Sequence, residues 1–190
     1  MNIEEYKTVL SEKLTAKRYF HSLCVADEAK RLADKYGADS ERAYLAGLLH
    51  DITKNLPEKE HLKIFHDFGI MLSDIEKNAF KLWHAISGTA YLKNVLDIKD
   101  CEVLSAVRYH TTAKEDMNLL EKVLYIADFT SQDRDYDDVD VMRKLADESL
   151  ESAMIYALKY TINELCEKNA AIHPDTVKAY NKLMLRNEEK

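Results

Sequence analysis

The chain has 190 residues, of which 27 are Lys or Arg and 34 are Asp or Glu, so its formal net charge at pH 7 is -7. This charge argues against broad affinity for nucleic acid or for an anionic membrane surface. The length fits one ordinary domain, and 4 Gly with 2 Pro leave little material for hairpins. We therefore predict an all-α fold with a single domain over residues 1–190.

The cysteines and the first residues indicate a compartment. Cys24, Cys101 and Cys166 are odd in number and far apart, which is typical of reduced thiols rather than of a disulfide framework. The opening MNIEEYKTVL does not have the pattern of a signal peptide, and no apolar run is long enough to span a bilayer. We expect a cytoplasmic protein that has no membrane partner.

Apolar residues recur at helical spacing along the chain and predict ten helices. In chain order they cover residues 3–14, 16–36, 40–52, 57–68, 73–95 with a break near Phe80, 100–110, 118–130, 139–148, 150–168 and 174–187. Gly37 suits a helix end, and Ser73 with Glu76 predicts a capping box. The apolar stripe from Leu119 to Ile126 is predicted to be core. The acidic stretch at 133–140 is interpreted as a solvated loop.

Histidine and aspartate recur within these apolar helices. They are His21, the adjacent pair His50 and Asp51, His84, His110 and Asp128, separated in turn by 29, 33, 26 and 18 residues. Each interval is one or two helix-plus-turn units, so each group falls on a different helix. Packed helices can direct such groups to one point in a bundle core, as they do in metal-carboxylate bundles.

The two aspartates lie in strongly apolar surroundings. Asp51 ends the run YLAGLLHD and Asp128 follows LLEKVLYIA, so both carboxylates are predicted to be buried. A buried carboxylate needs a partner, and a shared metal would serve all of these groups. Mixed imidazole and carboxylate ligands favour iron, manganese, zinc or another late divalent ion over calcium or magnesium.

Structural roles are the alternative. A lone helical histidine is more often a surface or hydrogen-bonded core residue, and His61 and His66 are interpreted in that way. The aspartates could instead pair with Arg or Lys, although Lys54 is the one cation close to them in sequence.

The order His, His-Asp, His, His, Asp resembles the HD superfamily of metal-dependent phosphohydrolases. Within it, six strings resemble the bacterial symmetrical diadenosine tetraphosphatases and cover nearly the whole chain. They are RYFHS at 18–22, GLLHDITK at 47–54, WHAISG at 83–88, YHTT at 109–112, YIADFTSQDR at 125–134 and AIHPDTVKAYN at 171–181. The resemblance implies a helical HD-domain bundle and hydrolysis of diadenosine tetraphosphate to two ADP, with iron as the metal.

The resemblance also implies roles for particular residues. It places one or two metal ions on His21, His50, Asp51 and Asp128, with Asp51 as the bridging ligand if there are two. His84 and His110 would face the same pocket and hold a second metal, bind phosphate or donate a proton, so Asp51, His84 and His110 are the candidate catalytic residues. The metal-binding core would span about 16–130, and the helices at 139–187 would complete the nucleotide pocket.

A dinucleoside polyphosphate substrate, and an ADP- or GDP-like product, would need cations and amides beside the metal. The candidate substrate-binding residues are Arg18, Lys54, His84, His110, Thr111, Arg134, Ala170, Ala171, Ile172, His173 and Thr176. In the segment 170–176, backbone amides at a helix start would hold an anion.

Other functions remain open at this stage. Another HD phosphohydrolase, acting on nucleoside monophosphates or other dinucleoside polyphosphates, would use the same centre. A dinuclear iron oxygenase has no positive support, and a non-catalytic nucleotide sensor would be expected to lack ligands. Metal identity and number, base selectivity and oligomeric state, including a homodimer, are also left open.

Overall fold

The protein is described by a computed structural model that covers residues 1–188, with side chains as far as residue 185; residues 189 and 190, which end the predicted domain, lie outside the described residues. The regular structure over that range is helical. The helices are α1 (Ile3–Lys13), α2 (Ala16–Tyr36), α3 (Ser40–Leu49), α4 (Glu58–Asp67), α5 (Asp74–Lys77), α6 (Trp83–Asn94), α7 (Cys101–Tyr109), α8 (Leu119–Thr130), α9 (Val139–Glu148), α10 (Leu150–Glu167) and α11 (Pro174–Glu188), with a 3-10 turn at Phe80–Leu82. The predicted all-α fold is confirmed.

Most helix boundaries follow from local chemistry. Gly37 ends α2 with a φ of 79°, in the left-handed region that glycine adopts without steric cost. The predicted capping box at Ser73 and Glu76 is present and starts α5. The break predicted near Phe80 is also confirmed, because the 3-10 turn separates α5 from α6.

Helix α3 ends earlier than predicted. It stops at Leu49 rather than at residue 52, and the chain continues in tighter turns. The amide of Ile52 donates to the carbonyl of Leu49 at 3.2 Å, and the amide of Lys54 donates to that of Asp51 at 2.8 Å. These i to i−3 bonds replace the α-helical pattern. His50 and Asp51 therefore lie in the turn at the helix end.

Helix α2 packs along α3 and against α8, and this packing positions the site. At Gly47 of α3 a Cβ atom would lie only 2.7 Å from the Cα of Ala26 on α2, so the two backbones approach as closely as glycine allows. Helices α6 and α7 extend the same layer, with α7 against α8. One end of this layer carries the histidines and aspartates of the site.

Helices α9 and α10 pack against α8, and α11 packs against α10. Helix α10 packs against α8, α9 and α11, and α11 buries Ala179 and Leu183. Leu119 is 38% exposed at the start of α8, so the prediction of a fully buried stripe is wrong at that residue, whereas Val123 and Ile126 are buried. Within the described residues, no helix combines the length and apolar character needed to cross a membrane.

Candidate metal centre and its adjoining cavities

The six candidate ligands converge on one end of the bundle. Three overlapping groups, His21–His50–Asp51, His50–His110–Asp128 and Asp51–His84–His110, each have ligand atoms within 4.8 Å of one another. Residues from α2, α6 and α8 and from the ends of α3 and α7 thus meet at one point. The structure brings together every group that the sequence proposed as a ligand.

Two of the histidines lie at helix ends, and each is fixed by a hydrogen bond to a backbone carbonyl of its own helix. The Nδ1 atom of His50 lies 2.7 Å from the carbonyl of Gly47, and Nδ1 of His110 lies 2.7 Å from the carbonyl of Val107. Each ring therefore donates from Nδ1 to a carbonyl in the last helical turn that has no amide partner within the helix. The tautomer that results leaves a lone pair on Nε2, which is the form that binds a metal.

His21 is oriented by a carboxylate from a distant loop. Its Nδ1 atom lies 2.8 Å from Asp133 Oδ2, while Nε2 lies 3.0 Å from Asp128 Oδ1. Asp133 is in turn held by the hydroxyl of Ser131 at 2.8 Å. Burial opposes ionisation of Asp133, but Ser131 and His21 outweigh it and hold its pKa below the ordinary value. A charged carboxylate behind an imidazole is a common support for a metal ligand.

Both central aspartates are ionised. Burial raises the pKa of Asp51, but the adjacent imidazoles, His50 foremost, outweigh it and hold that pKa well below the ordinary value. Burial also raises the pKa of Asp128, but the guanidinium of Arg134 and then the imidazole of His21 outweigh it and hold that pKa well below the ordinary value. The Asp128 side chain is 19% exposed, so the prediction that it is buried is only partly right, because it faces an open cavity.

His84 is buried between an anion and a cation. Its Nε2 atom lies 3.1 Å from Asp51 Oδ1, 3.1 Å from Lys54 Nζ and 3.0 Å from Nε2 of His110. Burial lowers the pKa of His84 to about 4, although Asp51 acts against this. The imidazole is therefore neutral at pH 7 and has a lone pair for a ligand.

The residues present fit a divalent cation. Among the described residues, His50 Nε2 and Asp51 Oδ1 are buried polar atoms that no group meets in hydrogen-bonding geometry, although His84 Nε2 approaches Asp51 Oδ1 to 3.1 Å. Burial of such atoms is costly, and both point into the cluster where further lone pairs of His21, His84 and His110 meet. Imidazole nitrogens and carboxylate oxygens together suit iron, manganese or zinc.

Two guanidinium groups contact these carboxylates. Arg18 Nη1 lies 2.8 Å from Asp51 Oδ2, and Arg134 binds Asp128 through both its carboxylate and its carbonyl oxygen. Pairing of the aspartates with Arg was the alternative left open by the sequence, and it is present here, although the sequence did not identify Arg18 as the partner of Asp51. Arg18 is 33 residues from Asp51 in the sequence. The arginines balance the anionic cluster and border its solvent-facing side.

Lys54 lies beside the cluster as predicted for a phosphate-binding cation. Its Nζ atom is 3.9 Å from Asp51 Oδ1 and within hydrogen-bonding distance of His84. Burial lowers the pKa of Lys54, while Asp51 and Asp128 oppose that change. Among the described residues, the carboxylate contact of Lys54 is the long one to Asp51, at 3.9 Å.

A cavity of about 430 Å³ lies beside the turn after α7, where Thr111 follows His110. Its lining contains Thr111, Ala170, Ala171, His173 and Thr176, together with apolar side chains of the segment that joins α5 to α6. Ile172, which was predicted to bind nucleotide, is not part of this lining. The hydroxyl of Thr176 donates to the carbonyl of Thr112 at 2.8 Å and so ties the start of α11 to the turn after α7.

The loop after α8 carries more of the site than the sequence suggested. It was interpreted as a solvated acidic segment, yet Asp133 supports His21 and Arg134 contacts Asp128. The available signal was the position of both residues just after the helix that bears Asp128. Tyr136, further along the same loop, is half-buried and lines two further cavities.

A helical bundle that gathers His, His-Asp and Asp at one point defines a class of metal-dependent hydrolases. Residues 18–133 match the model of the HD domain, and the chain belongs to the HD-domain family. Its resemblance to the symmetrical tetraphosphatases within that family is also confirmed by relatives that extend over nearly the whole chain.

Two curated relatives are named symmetrical bis(5'-nucleosyl)-tetraphosphatase. The protein from Bacillus subtilis is 37% identical over 184 residues, covering 97% of this chain and 98% of the relative. The one from Halalkalibacterium halodurans is 35% identical, covering 99% of this chain and 100% of the relative. Among solved structures, a predicted HD-superfamily hydrolase involved in NAD metabolism from Clostridium acetobutylicum has a TM-score of 0.94 with 38% identity, over 98% of each chain.

Proposed function

We propose that this protein hydrolyses diadenosine tetraphosphate symmetrically and releases two molecules of ADP. The observation that carries the proposal is the cluster of His21, His50, Asp51 and Asp128 in a chain that matches curated tetraphosphatases from end to end. A dinucleoside polyphosphate is the substrate class, and a divalent metal is the cofactor.

We propose His21, His50, Asp51 and Asp128 as the metal ligands. Asp51 occurs in two of the three overlapping ligand groups, which suits it to bridge if two ions bind. Iron is the proposed metal, since imidazole and carboxylate ligands accept it and the family resemblance favours it. When bound, a divalent ion lowers the pKa of a water molecule and polarises a phosphoryl oxygen.

The chain itself would bind and orient the polyphosphate. Arg18, Lys54 and Arg134 surround the cluster and would hold phosphate oxygens, because charge-assisted bonds to phosphate are short and strong. Catalysis of phosphoryl transfer depends mainly on such positioning and on charge stabilisation. His84 and His110, whose Nε2 atoms lie 3.0 Å apart, would bind phosphate, hold a second metal or donate a proton to the leaving group.

One nucleoside would occupy the cavity beside His110. Thr111, Ala170, Ala171, His173 and Thr176 line it, and its volume of about 430 Å³ lies in the range of small-molecule sites. Helices α10 and α11 contribute to this lining, which supports the proposal that the C-terminal helices complete the nucleotide pocket. The proposed location is the cytoplasm, where the three free cysteines would stay reduced.

Product analysis tests the function. The metal-loaded protein would be incubated with diadenosine tetraphosphate and the nucleotides separated by chromatography. ADP as the sole product is expected from attack at one of the two inner phosphorus atoms. ATP and AMP in equal amounts would show asymmetric cleavage, and an unchanged substrate would show that another nucleotide is hydrolysed. Inosine and guanosine analogues in the same assay would measure base selectivity.

A further inference from the structure

A symmetric substrate raises a requirement that one nucleoside pocket does not meet. Diadenosine tetraphosphate has two identical nucleoside ends, and symmetric cleavage places the reacting phosphates midway between them. If the metal cluster acts at that midpoint, the surface must accept a nucleoside on each side. This inference rests on the proposed function and concerns the end of the substrate that the cavity beside His110 does not hold.

A second opening, which is lined by other residues, also reaches the cluster. Two adjoining cavities, of about 240 and 200 Å³, share Arg134 and Tyr136 in their lining. One reaches Asp128 and the other reaches His21, so both end at the proposed metal ligands. Neither has a lining residue in common with the cavity beside His110. Together they have the volume expected of a small-molecule site.

Aromatic rings line part of this opening. Phe129, Tyr136 and Tyr160 line it together with Asp128 and Arg134. The ring centroids of Tyr136 and Tyr160 are 5.6 Å apart with 43° between the ring planes, so one nucleobase would stack on one of these faces rather than between two parallel rings. The Tyr136 hydroxyl donates to the carbonyl of Phe129 at 3.1 Å, which fixes its ring against α8.

The opening combines cations with aromatic rings. Lys17, Arg18 and Arg134 line the cavity that reaches His21, whereas Phe129 and Tyr160 line the one that reaches Asp128, and Arg134 and Tyr136 belong to both. Asp133 and Asp135 also line it, and the Asp133 carboxylate is occupied by His21 and Ser131. A nucleoside diphosphate matches these two features, with negative charge for the cations and an aromatic base for the rings.

The loop that carries Arg134 and Tyr136 is held in place. The guanidinium of Arg143 on α9 donates to the carbonyls of Thr130, Ser131 and Arg134 at distances from 2.9 to 3.2 Å. One side chain thus ties the end of α8 and two residues of the loop to α9. The subsite is therefore preorganised, and little ordering cost would be added on binding.

We propose that Tyr136 and Tyr160, with Phe129, form the subsite for the second nucleoside of the dinucleoside polyphosphate, and that Arg134 holds the phosphates that lead to it. Stacking on an aromatic ring tolerates any base, because every base has a π face. This subsite therefore binds a nucleoside diphosphate as a product and positions the second half of the substrate.

Binding of ADP tests the proposal without catalysis. The metal-loaded wild type is expected to bind two ADP per chain in a calorimetric titration, and Tyr160→Ala to bind one. Tyr160→Phe keeps the ring and should keep both sites. Tyr91→Ala is a matched control, since Tyr91 is also half-buried but lies on α6, with the ammonium of Lys13 over its ring. One ADP per chain in the wild type, or two with unchanged affinities in Tyr160→Ala, would overturn the proposal.

Kinetics separate this proposal from the function on which it rests. Tyr160→Ala should raise KM for diadenosine tetraphosphate by roughly 5- to 150-fold, the range of one lost base stack. KM for adenosine 5'-tetraphosphate, which has one nucleoside, should change far less. Equal changes for both substrates would contradict the subsite. If wild-type protein binds two ADP but cleaves neither compound, the proposed function fails while the subsite stands.

A second variant covers the case in which Tyr160→Ala does not fold. Circular dichroism and the retained first ADP site report an intact protein. If either is lost, Tyr136→Leu removes the neighbouring ring from the loop and should likewise abolish the second ADP site. Retention of two ADP sites in a folded Tyr136→Leu protein, with unchanged affinities, would contradict the proposal.

Discussion

Asp133 acts on the proposed metal through another residue, because its carboxylate accepts from Nδ1 of His21 at 2.8 Å and so directs Nε2 toward the cluster. Asp133→Asn should weaken metal affinity by about 10- to 100-fold, the usual effect of losing such a support, with helicity unchanged. Competition with a metal-binding dye would measure the affinity. His21 would remain present, so a loss of affinity would identify Asp133 as a positioning residue.

The control for Asp133 lies in the same loop. Asp137 is exposed and lines neither cavity of the opening, so Asp137→Asn removes a charge of the same sign from the same segment. Its metal affinity should match that of the wild type. Equal losses in both variants would mean that the charge of the loop, and not the bond to His21, sets the affinity.

Lys54 and Arg134 are cations beside the cluster and cannot themselves coordinate a metal. Lys54→Ala and Arg134→Ala should retain metal and lose kcat/KM on diadenosine tetraphosphate by roughly 10- to 150-fold each, the cost of one charged hydrogen bond of about 1.5–3 kcal/mol. Steady-state kinetics with metal analysis of the same samples would test this. Lys59→Ala, an exposed lysine on α4, is the matched control and should behave as the wild type.

For Arg134, two substrates must be compared, because this residue also contacts Asp128 and its loss could affect the metal site. A guanidinium that grips polyphosphate should matter for diadenosine tetraphosphate and far less for a small phosphodiester. Equal losses on both compounds, or loss of metal, would show that Arg134 supports the metal site rather than the substrate.

At the scale of elements, the contact between α2 and α3 brings His21 and His50 together. In Gly47→Ala the new Cβ would lie 2.7 Å from Ala26 Cα and 2.9 Å from Val25 O, and backbone atoms cannot turn aside. Overpacking of about 1–3 kcal/mol, or more, should exceed the gain of about 1 kcal/mol from replacing a helical glycine. Urea unfolding should therefore show a lower free energy of unfolding, and metal affinity should fall with it.

Gly88→Ala serves as the comparison for Gly47→Ala. Its nearest neighbour would be the Oγ1 atom of Thr53 at 3.3 Å, which is a side-chain atom that can shift slightly. The loss of stability should be clearly smaller than for Gly47→Ala. If the two variants were equally stable, backbone contact between α2 and α3 would not be the limiting feature.

Glu76 joins the start of α5 to α7 and makes part of the stability depend on pH. It accepts from the amide and hydroxyl of Ser73, both at 2.8 Å, and from Arg108 at 2.7 Å. Burial opposes ionisation, but these partners outweigh it and lower the pKa of Glu76 from 4.5. A lowered pKa in the folded state stabilises the protein above the unfolded pKa, and that stabilisation is lost as pH falls through the folded pKa.

Glu76→Gln should accordingly lower the free energy of unfolding at pH 7 by about 1–3 kcal/mol. The difference from the wild type should shrink as the pH falls below about 4.5. Urea unfolding across this range would measure it, with Glu12→Gln on the exposed end of α1 as control. A difference that stays constant with pH would show that the charge of Glu76 is not what stabilises the contact.

Helix positions were predictable because their signals are local. Apolar periodicity and residues such as Gly37 and Ser73 act within a few positions of the boundary that they set. The end of α3 was misjudged because the apolar run continues through Ile52, whereas the Nδ1 bond of His50 to Gly47 closes the helix at Leu49. A side chain that caps its own helix is not visible in a hydrophobic pattern.

The sequence predicted the candidate metal ligands of the site but not the residues that form hydrogen bonds and ion pairs with them. Imidazole and carboxylate within apolar helices are unusual enough to indicate a shared partner. The supports depend on residues far apart in the chain: Asp133 lies 112 residues from His21, and Arg18 lies 33 residues from Asp51. Nothing in the spacing of charged surface residues identifies which of them the fold will turn inward.

Across the whole molecule, one centre built by five helices is required both to bind the metal and to hydrolyse the substrate. Metal content, turnover of diadenosine tetraphosphate and circular dichroism, measured on the same samples of wild type, His50→Ala and Asp51→Ala, test this requirement most directly. We predict that both variants keep the helical spectrum and lose the metal together with turnover, and that a chelator reversibly inactivates the wild type. Full metal occupancy and wild-type turnover in either variant would contradict the account.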